Sequence, residues 1–373
     1  MQWSLILLFL MGQCCFITCL YEYHYVGENK TWSEAQQYCR EKYTDLATVS
    51  NMTDMKRILN KSAGNMNEAW IGLYDQTDGN RTWHWSLPGV EFKESETNWS
   101  QGEPTDKGTG TGTTENCGMI KKDLTWGDYS CPPIRSFLCY DEKNTTQKFH
   151  LINDKMSWLK AQNYCREHHT DLISGLNQLQ DKQLQDELSS VDDSFIYIGL
   201  FRDTWRWSDG SSFSFRHWNL QFNNTKYNSG QCAMTVFDDG GRWRNGNCTD
   251  RKPFICYDDK VILIKENKTW EEALYYCRVH HHDLVSITNL DEQRWVQEEA
   301  MKASTPFVWM GLHYTCALDF WFWVSSEEVS YKNWVSDGQM DDCDMSGAME
   351  TGGQHKWFKK NHDEKFNFIC SKH

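Results

Sequence analysis

Three stretches of the chain repeat one pattern of apolar and polar positions. Each begins with Ser or Thr, continues at once with Trp, and then places Ala, Tyr and Cys at near-helical spacing before an Asp-Leu pair. Ser and Thr are favoured N-cap residues, and an apolar stripe with this spacing is typical of an amphipathic α-helix. The pattern therefore predicts three helices whose cysteines face inward. The stretches begin at Thr31, Ser157 and Thr269, and their cysteines are Cys39, Cys165 and Cys277.

Each predicted helix is followed by the same series of strand patterns. A short apolar run comes first, then a Trp-x-Trp segment, and finally Phe-x-Cys. Alternation with a period of two places both indoles of a Trp-x-Trp segment on one face of a sheet. Self-similarity on this scale indicates three copies of one supersecondary unit. The apolar runs are 70–73, 197–200 and 309–312, the Trp-x-Trp segments are 83–85, 205–207 and 321–323, and the Phe-x-Cys ends are 137–139, 254–256 and 368–370.

Composition and charge narrow the class of protein. Hydrophobic residues make up 39% of the chain of 373 residues, which is enough for packed cores in two or three domains. The 19 Trp are unusually many, and the Trp-x-Trp strands account for much of the excess. The net charge of −14 argues against binding a nucleic-acid backbone or anionic lipid, because both need a basic face. We therefore expect no nucleic-acid partner.

The first residues resemble a secretory signal peptide. An apolar run from Leu5 to Met11 is followed by small and polar residues near Thr18 and Cys19, although a basic segment before the run is missing. The alternative is an uncleaved membrane anchor, for which this run is short. No other run approaches the ~20 apolar residues of a membrane helix. We therefore expect a signal peptide over 1–19, no membrane span, and a secreted, extracellular protein.

The cysteines and glycosylation sequons point to the same compartment. Three of the 15 cysteines (Cys14, Cys15 and Cys19) lie in the predicted leader, and the twelve that remain are an even number, as expected for disulfides in a secreted chain. Nine Asn-x-Ser/Thr sequons predict a glycoprotein. They begin at Asn29, Asn51, Asn60, Asn80, Asn98, Asn144, Asn223, Asn247 and Asn267.

The ordered combination of helix cysteine, Trp-Ile-Gly-Leu-type strand, Trp-x-Trp strand and terminal Phe-x-Cys resembles the C-type lectin-like domain. The resemblance covers nearly all of the chain after the leader, in three copies, as in the tandem domains of the macrophage mannose receptor group. It implies an α+β double-loop fold that is cross-linked by disulfides, with domains at 21–140, 148–257 and 260–371. Linkers of 141–147 and 257–259 would leave these domains limited freedom.

The resemblance also implies a pairing of the cysteines. A long bridge joins the helix to the last strand of each domain, and a short bridge ties the long loop to the strand beneath it. The third domain departs from this, because His362 stands where the partner of Cys343 belongs and Cys316 is left over. Two unpaired thiols in a secreted domain are improbable, which predicts Cys316–Cys343. The other implied bridges are Cys39–Cys139, Cys165–Cys256, Cys277–Cys370, Cys117–Cys131 and Cys232–Cys248.

Sugar-binding members of this family hold Ca²⁺ in the long loop. The ligands are the Glu and Asn of Glu-Pro-Asn, a Glu before the loop cysteine, and the Asn and Asp of Trp-Asn-Asp. Ca²⁺ takes six to eight oxygen ligands, several of them anionic. By this resemblance, Glu103, Glu115 and Asp128 of the first domain match the acidic ligands, whereas Thr105 and Gly127 replace the two amides.

A calcium and carbohydrate site at Glu103, Thr105, Glu115 and Asp128 is therefore predicted for the first domain only. Asp106 would add charge if it turned inward, but it would not restore an amide donor. The alternative is a remnant loop whose acids are merely solvated.

The second and third domains depart further from the family's calcium ligands. The second has Trp243-Arg244-Asn245, and the third has Trp357-Phe358-Lys359 with Gly338 in place of the Glu. A nearby acidic cluster in the third domain is more typical of a solvated loop than of a metal site; it comprises Asp341, Asp342 and Asp344.

No recognisable catalytic constellation is present, so we expect a binding protein and not an enzyme. The sequence has no zinc-protease, nucleophile-elbow or phosphate-loop motif. The histidines at 168–169 and 280–282 end two of the repeated helices, which favours structural histidines over a metal site. We expect glycans, glycoproteins or other extracellular proteins as partners. The alternative to calcium-dependent sugar binding is a calcium-independent protein-interaction scaffold, and dependence on calcium discriminates the two.

Overall fold

A computed structural model of the protein describes residues 20–61, 67–75, 80–106, 114–189, 195–222, 230–317, 319–327, 329–335 and 343–372. The predicted leader, the Asn223 sequon and the positions of Gly338, Asp341 and Asp342 lie outside these ranges. No helix within them is long and apolar enough to cross a membrane.

The repeated sequence patterns form repeated elements. The first repeat contains β1 (Tyr21–Lys30), α1 (Trp32–Lys42), β2 (Asp45–Leu46), α2 (Met52–Lys61), β3 (Glu68–Asp75), β4 (Thr82–Trp85), β5 (Cys117–Ile120), β6 (Trp126–Tyr129) and β7 (Arg135–Tyr140). The second contains β8 (Phe149–Met156), α3 (Trp158–His168), β9 (Asp171–Leu172), α4 (Leu176–Leu179), α5 (Lys182–Ser189), β10 (Ile196–Asp203), β11 (Trp205–Trp207), β12 (Gln231–Val236), β13 (Trp243–Asn247) and β14 (Lys252–Asp259). The third contains β15 (Val261–Lys268), α6 (Trp270–His280), β16 (Asp283–Leu284), α7 (Leu290–Ala300), β17 (Phe307–Thr315), β18 (Phe320–Trp323), β19 (Met345–Glu350), β20 (Trp357–Asn361) and β21 (Phe366–Ser371).

The predicted helix starts are confirmed. Thr31 caps α1 in a capping box with Glu34, and Thr269 caps α6 in the same way with Glu272. Ser157 precedes α3 but makes no side-chain cap, and Lys160 at the third position of that helix cannot supply the carboxylate of a capping box. The Trp that opens each helix is buried, and its indole N–H donates to a carbonyl of the apolar strand at 2.8 Å; the pairs are Trp32–Ile71, Trp158–Ile198 and Trp270–Met310.

The third repeat builds its sheet from its own strands. The strand order is β15-β21-β17-β19-β20, with β16 beside β21 and β18 beside β17. The helix cysteine Cys277 bonds to Cys370 of β21, and Cys316 bonds to Cys343. Both pairs are the predicted ones. The buried Trp323 of the alternating strand packs edge-on against Trp357 at 5.5 Å.

The first two repeats exchange halves. One sheet has the order β1-β14-β3-β12-β13, with β2 and β11 at its sides, so it joins the start of the first repeat to the end of the second. The other sheet has the order β6-β5-β10-β7-β8, with β4 and β9 at its sides. We call residues 23–75 with 205–257 the outer module, and residues 80–203, which include the turn after β7, the inner module. Residues 23–257 form one compact unit, so the expectation of separate domains at 21–140 and 148–257 differs from the structure.

The exchange corrects two predicted disulfides. Cys39 bonds to Cys256 and Cys139 bonds to Cys165, in place of Cys39–Cys139 and Cys165–Cys256. The cause is the sheet pairing, because the helix that carries Cys39 packs in the outer module with β14, whereas β7 belongs to the inner module. The short bridges Cys117–Cys131 and Cys232–Cys248 are the predicted ones.

A buried ion pair lies where the chain passes from the inner to the outer module. Asp203 ends β10, and its carboxylate accepts from the Arg216 guanidinium of the outer module at 2.9 Å. Both side chains are at most 4% exposed. Arg216 also donates to the carbonyl oxygens of Phe213, Phe215 and Trp205. Because a buried charge without a partner is strongly unfavourable, this pair holds the two modules in one arrangement.

The Asn51 sequon lies in an unfavourable place for a glycan. Asn51 is 5% exposed and its side-chain oxygen accepts the N–H of Asp54 at 3.0 Å, at the start of α2. Its amide group donates to Ser50. A side chain that is buried and engaged in this way has no room for a sugar in the folded protein.

Candidate functional site: a carboxylate cluster neutralised by two arginines

The predicted site residues come together in the inner module. The loop before β5 is held against β6, since Ser100 N–H donates to the Trp126 carbonyl at 2.8 Å and Trp99 forms a bridge with Trp126. The peptide bond between Glu103 and Pro104 is cis. Glu103 lies beside Asp128, which belongs to β6.

Thr105 joins two of the predicted acidic residues. Its backbone N–H donates to Asp128 Oδ1 at 2.9 Å, and its hydroxyl donates to Glu115 Oε2 at 3.1 Å. Asp128 is 2% exposed and Glu115 is 6% exposed. The structure therefore brings Glu103, Thr105, Glu115 and Asp128 together in one cluster.

Asp106 is a fifth member of this cluster. Its carboxylate accepts the Glu115 N–H at 3.2 Å, and its own N–H donates to Asp128 Oδ2 at 2.9 Å. The backbone of Asp106 has φ of 53°, in the left-handed region that Asp tolerates better than most residues. This turn is what brings its carboxylate to the other acids.

Two arginines that the sequence analysis did not include complete the cluster. Arg202 Nη2 lies 2.6 Å from Asp128 Oδ2 and 3.1 Å from Asp106 Oδ1, and Arg202 Nε donates to the Glu115 carbonyl at 3.0 Å. Arg81 donates to both oxygens of Asp106 and to Asn116. The Arg202 guanidinium also lies over the Trp83 ring, 4.5 Å from its centroid. Such charge-assisted bonds are stronger than neutral ones.

Arg202 reaches the site because of the exchange of halves. Arg202 of β10 lies opposite Trp83 of β4. The equivalent pairs in the other two sheets are Asp75 of β3 with Trp205, and Tyr314 of β17 with Trp321. The first repeat itself therefore has an acid, Asp75, at the position that Arg202 takes. Aligning the repeats would show an arginine at this position of the second repeat, but not that it faces the acids of the first.

The carboxylates of the cluster outnumber its guanidinium groups. Four carboxylates and two guanidiniums leave a net charge of −2. The Asp128 carboxylate, with burial and the Glu115 charge, raises the pKa of Glu103. Burial works to raise the pKa of Asp106, but Arg81 and the Glu115 N–H outweigh it and hold that pKa below its ordinary value. The cluster thus contains one acid whose pKa is lowered, Asp106, beside another, Glu103, whose raised pKa makes it hold a proton more readily.

The residues present do not fit the calcium shell of the family. Asp128 already accepts from Thr105, Asp106 and Arg202, and Gly127 has no side chain where an amide ligand would be needed. A Cβ added at Gly127 would lie 3.7 Å from the Glu103 carboxyl carbon. An Asn side chain at position 127 would therefore lie next to the Glu103 carboxylate. Ca²⁺ would have to displace Arg202 from a buried carboxylate. One feature fits a cation, because Glu103 Oε2 is buried and has no hydrogen-bond partner.

The strands that correspond to β6 in the other repeats, β13 and β20, carry basic residues. Arg244 of the outer module is half-exposed and lies 3.6 Å from Asp239. In the third repeat Lys359 lies about 6 Å above the rings of Trp321 and Trp334. The acid cluster of the inner module is therefore the one that retains the family's acidic positions within the described residues.

A cavity of about 270 Å³ lies beside the cluster. Asn116 and Arg202 belong to both, and the remaining wall comes from both modules, including the rings of Trp158, Phe201 and Trp218. Apolar rings with a few polar groups are typical of ligand pockets. The exchange of halves creates this cavity, because its wall combines residues 114–203 with residues 216–222.

The model of the Lectin C-type domain matches residues 28–141, 154–258 and 266–372. Human C-type mannose receptor 2 is 24% identical over 366 residues, which cover 82% of this chain and 24% of that receptor. Human secretory phospholipase A2 receptor is 22% identical, covering 64% and 18%, and human lymphocyte antigen 75 is 21% identical, covering 82% and 20%.

Among solved structures, human lithostathine is similar, with 26% identity over 30% of this chain and 83% of that one, at a TM-score of 0.28. The chain spans about a quarter or less of the length of the curated relatives it matches. The three matched segments together cover most of the sequence, in the same three copies that the internal repeats indicate. The chain therefore belongs to the C-type lectin domain family, as a protein with three tandem domains.

Proposed function

We propose that this chain is a secreted, extracellular lectin-like binding protein that recognises a glycoprotein or another extracellular protein without calcium. It binds and does not catalyse. The observation that carries the proposal is the bond of 2.6 Å between Arg202 and Asp128. In this cluster the guanidinium supplies the positive charge that calcium supplies in sugar-binding relatives.

The electrostatics of the cluster support a resident arginine. The Asp128 side chain is fully buried, and Arg202 is only 10% exposed. Separating them would leave two buried charges to be solvated, which is strongly unfavourable. Arg202 is also held from three sides, by Glu115, Asp106 and the Trp83 ring. Loss of one contact therefore does not release it.

The cavity beside Arg202 is the surface at which we expect the ligand. Its wall includes Asn116 and Arg202 together with the rings of Trp158, Phe201 and Trp218. Arginine and aromatic residues are enriched at the centres of protein interfaces. The six disulfides of the described residues support the extracellular location.

The test is a calcium titration of the full chain by calorimetry, with thermal unfolding in CaCl₂ and in EDTA. We expect no saturable heat and no calcium-dependent change in melting temperature. Binding to a panel of immobilised extracellular glycoproteins should persist in EDTA. Saturable calcium binding that disappears in Glu103→Gln would refute the proposal.

A second candidate is calcium-dependent sugar recognition by the inner module. The observation in its favour is the buried Glu103 Oε2 without a partner. A cation that bridged Glu103 and Glu115 would satisfy this oxygen. In that case binding to glycans would be lost in EDTA and in Glu103→Gln, which is the opposite of the result that we expect.

A further inference from the structure

We propose that the inner module binds a transition-metal dication of the zinc class through Asp141, His150 and His169. This site lies outside the carboxylate cluster and does not depend on the proposed function. It uses a ligand set of two imidazoles and one carboxylate, which suits Zn²⁺ and not Ca²⁺.

The three ligand groups converge. One ligand atom from each residue lies within 4.8 Å of the others. His169 Nδ1 is 3.6 Å from Asp141 Oδ2, which is too long for a hydrogen bond. Two donors on one tetrahedral Zn²⁺ lie about 3.3 Å apart, given ligand distances near 2.0–2.1 Å. A small side-chain rotation therefore closes the set around one ion.

Two ring nitrogens in this group are unsatisfied. His150 Nε2 and His169 Nδ1 are buried, and neither has a hydrogen-bond partner among the described residues. Buried polar atoms nearly always have a partner, so two such atoms side by side need an explanation. The imidazole rings are stacked, with centroids 4.3 Å apart and planes at 20°. Because each lone pair lies in the plane of its ring, the rings must turn out of this stack to bind one ion together.

The frame around the ligands is rigid. His150 of β8 lies opposite Cys139 of β7, and the His169 N–H donates to the Cys165 carbonyl at 2.8 Å. The Cys139–Cys165 disulfide therefore ties the backbones of both histidines together. Asp141 follows β7 directly, and its Oδ1 accepts the Lys143 N–H at 3.0 Å, which turns Oδ2 toward His169. Ligands placed by fixed elements lose little entropy when they bind.

The other two repeats provide natural comparisons. His150 is eight residues before its helix Trp, and His169 is four residues after its helix Cys. The same positions hold His24 and Tyr43 in the first repeat, whose rings stack at 4.5 Å, and Ile262 and His281 in the third. The fold thus accepts Tyr or Ile at these places. Among these three pairs of positions, the inner module holds two imidazoles.

The experiment is a zinc titration of the untagged full chain, followed by calorimetry and by thermal unfolding. We expect saturable binding of one Zn²⁺, with a rise in melting temperature. The variants His150→Ile and His169→Tyr copy residues that the other repeats use. Each should weaken zinc binding by roughly ten-fold or more, because loss of a supporting residue alone typically costs 10- to 100-fold.

His168→Tyr is the matched control, since His168 is exposed and stacks on Tyr164. It should leave zinc binding unchanged. Unchanged disulfides and circular dichroism in His169→Tyr would show that the loss is not misfolding. Absence of saturable zinc binding in the wild-type chain would overturn the proposal, and so would an equal loss in His168→Tyr. A calcium titration reports on the carboxylate cluster alone, so the two proposals fail independently.

Discussion

Replacing Arg202 by Ala tests whether an arginine takes the place of calcium in the inner module. The substitution removes the 2.6 Å bond to Asp128 and the 3.1 Å contact with Asp106. Breaking a buried ion pair from one side costs about 3–5 kcal/mol. Asp128 keeps the N–H donors of Thr105 and Asp106, so we expect the lower end of this range, about 3 kcal/mol.

The same change should create a response to calcium. Without Arg202 the net charge of the cluster falls to −3, and Asp128 Oδ2 becomes available to a cation. With a dissociation constant on the order of 1 mM, as in weak extracellular calcium modules, 10 mM calcium would stabilise the fold by about 1.4 kcal/mol. In a unit of this size each kcal/mol shifts the melting temperature by about 2–4 °C. We therefore expect a loss of about 6–12 °C in EDTA, of which calcium restores about 3–6 °C.

Differential scanning calorimetry in CaCl₂, in MgCl₂ and in EDTA at equal ionic strength measures both effects. Arg206→Ala is the control, because Arg206 donates to Trp205, Asn80 and Thr82 and contacts no carboxylate of the cluster. The melting temperature of this variant should be close to that of the wild type and should not change with calcium. Two results would contradict the reasoning: a wild type that calcium stabilises as much as the variant, or an Arg202→Ala variant that calcium does not stabilise at all.

Two further predictions concern the exchange of halves and the third repeat. Peptide mapping without reduction should recover Cys39 linked to Cys256 and Cys139 linked to Cys165, and a peptide joining Cys39 to Cys139 would refute the exchange. In the third repeat, burial raises the pKa of Asp259 to about 6, although its Oδ1 accepts from Trp295 Nε1 and from the Val261 N–H at 3.0 Å. A carboxyl whose pKa is higher in the folded state favours folding at low pH and loses that contribution as the pH rises through about 6. Asp259→Asn keeps the acceptor without the charge, so it should raise the free energy of unfolding by up to about 3 kcal/mol at pH 7.5 and change it little at pH 4. Urea unfolding at both pH values measures the difference, and equal effects at the two would show that the charge is not responsible.

The sequence predicts the elements of this protein better than it predicts their partners. The capped helices and the alternating Trp strands follow from local patterns. Three of the six disulfides are those that the family resemblance implies, and a fourth, Cys316–Cys343, is the one that elimination predicts. The exchange does not, because β7 and β14 carry the same Phe-x-Cys-Tyr pattern and either strand can receive the Cys of α1. Identical local signals leave the choice of partner to long-range packing.

The candidate site divides in the same way. Glu103, Thr105, Glu115 and Asp128 lie within 26 residues of one another, and one loop and one hairpin bring them together. Arg202 lies 74 residues beyond Asp128 and belongs to the next repeat. No property of Arg202 in the sequence indicates which repeat it faces, so the residue that decides the chemistry of the cluster required the structure.

The exchange of halves also sets an order for folding during synthesis. The inner module lies within one continuous segment, 80–203. The outer module forms only after 205–257 has been synthesised, because its sheet joins residues 23–75 to that segment. Contacts between distant segments form slowly, because a long loop must close first. The inner module can thus fold as soon as its strand β10 leaves the ribosome. At that point residues 23–75 still lack the strands of 205–257 with which they form a sheet. During that interval Cys39 of helix α1 has not yet met its partner, because Cys256 lies 217 residues further along the chain.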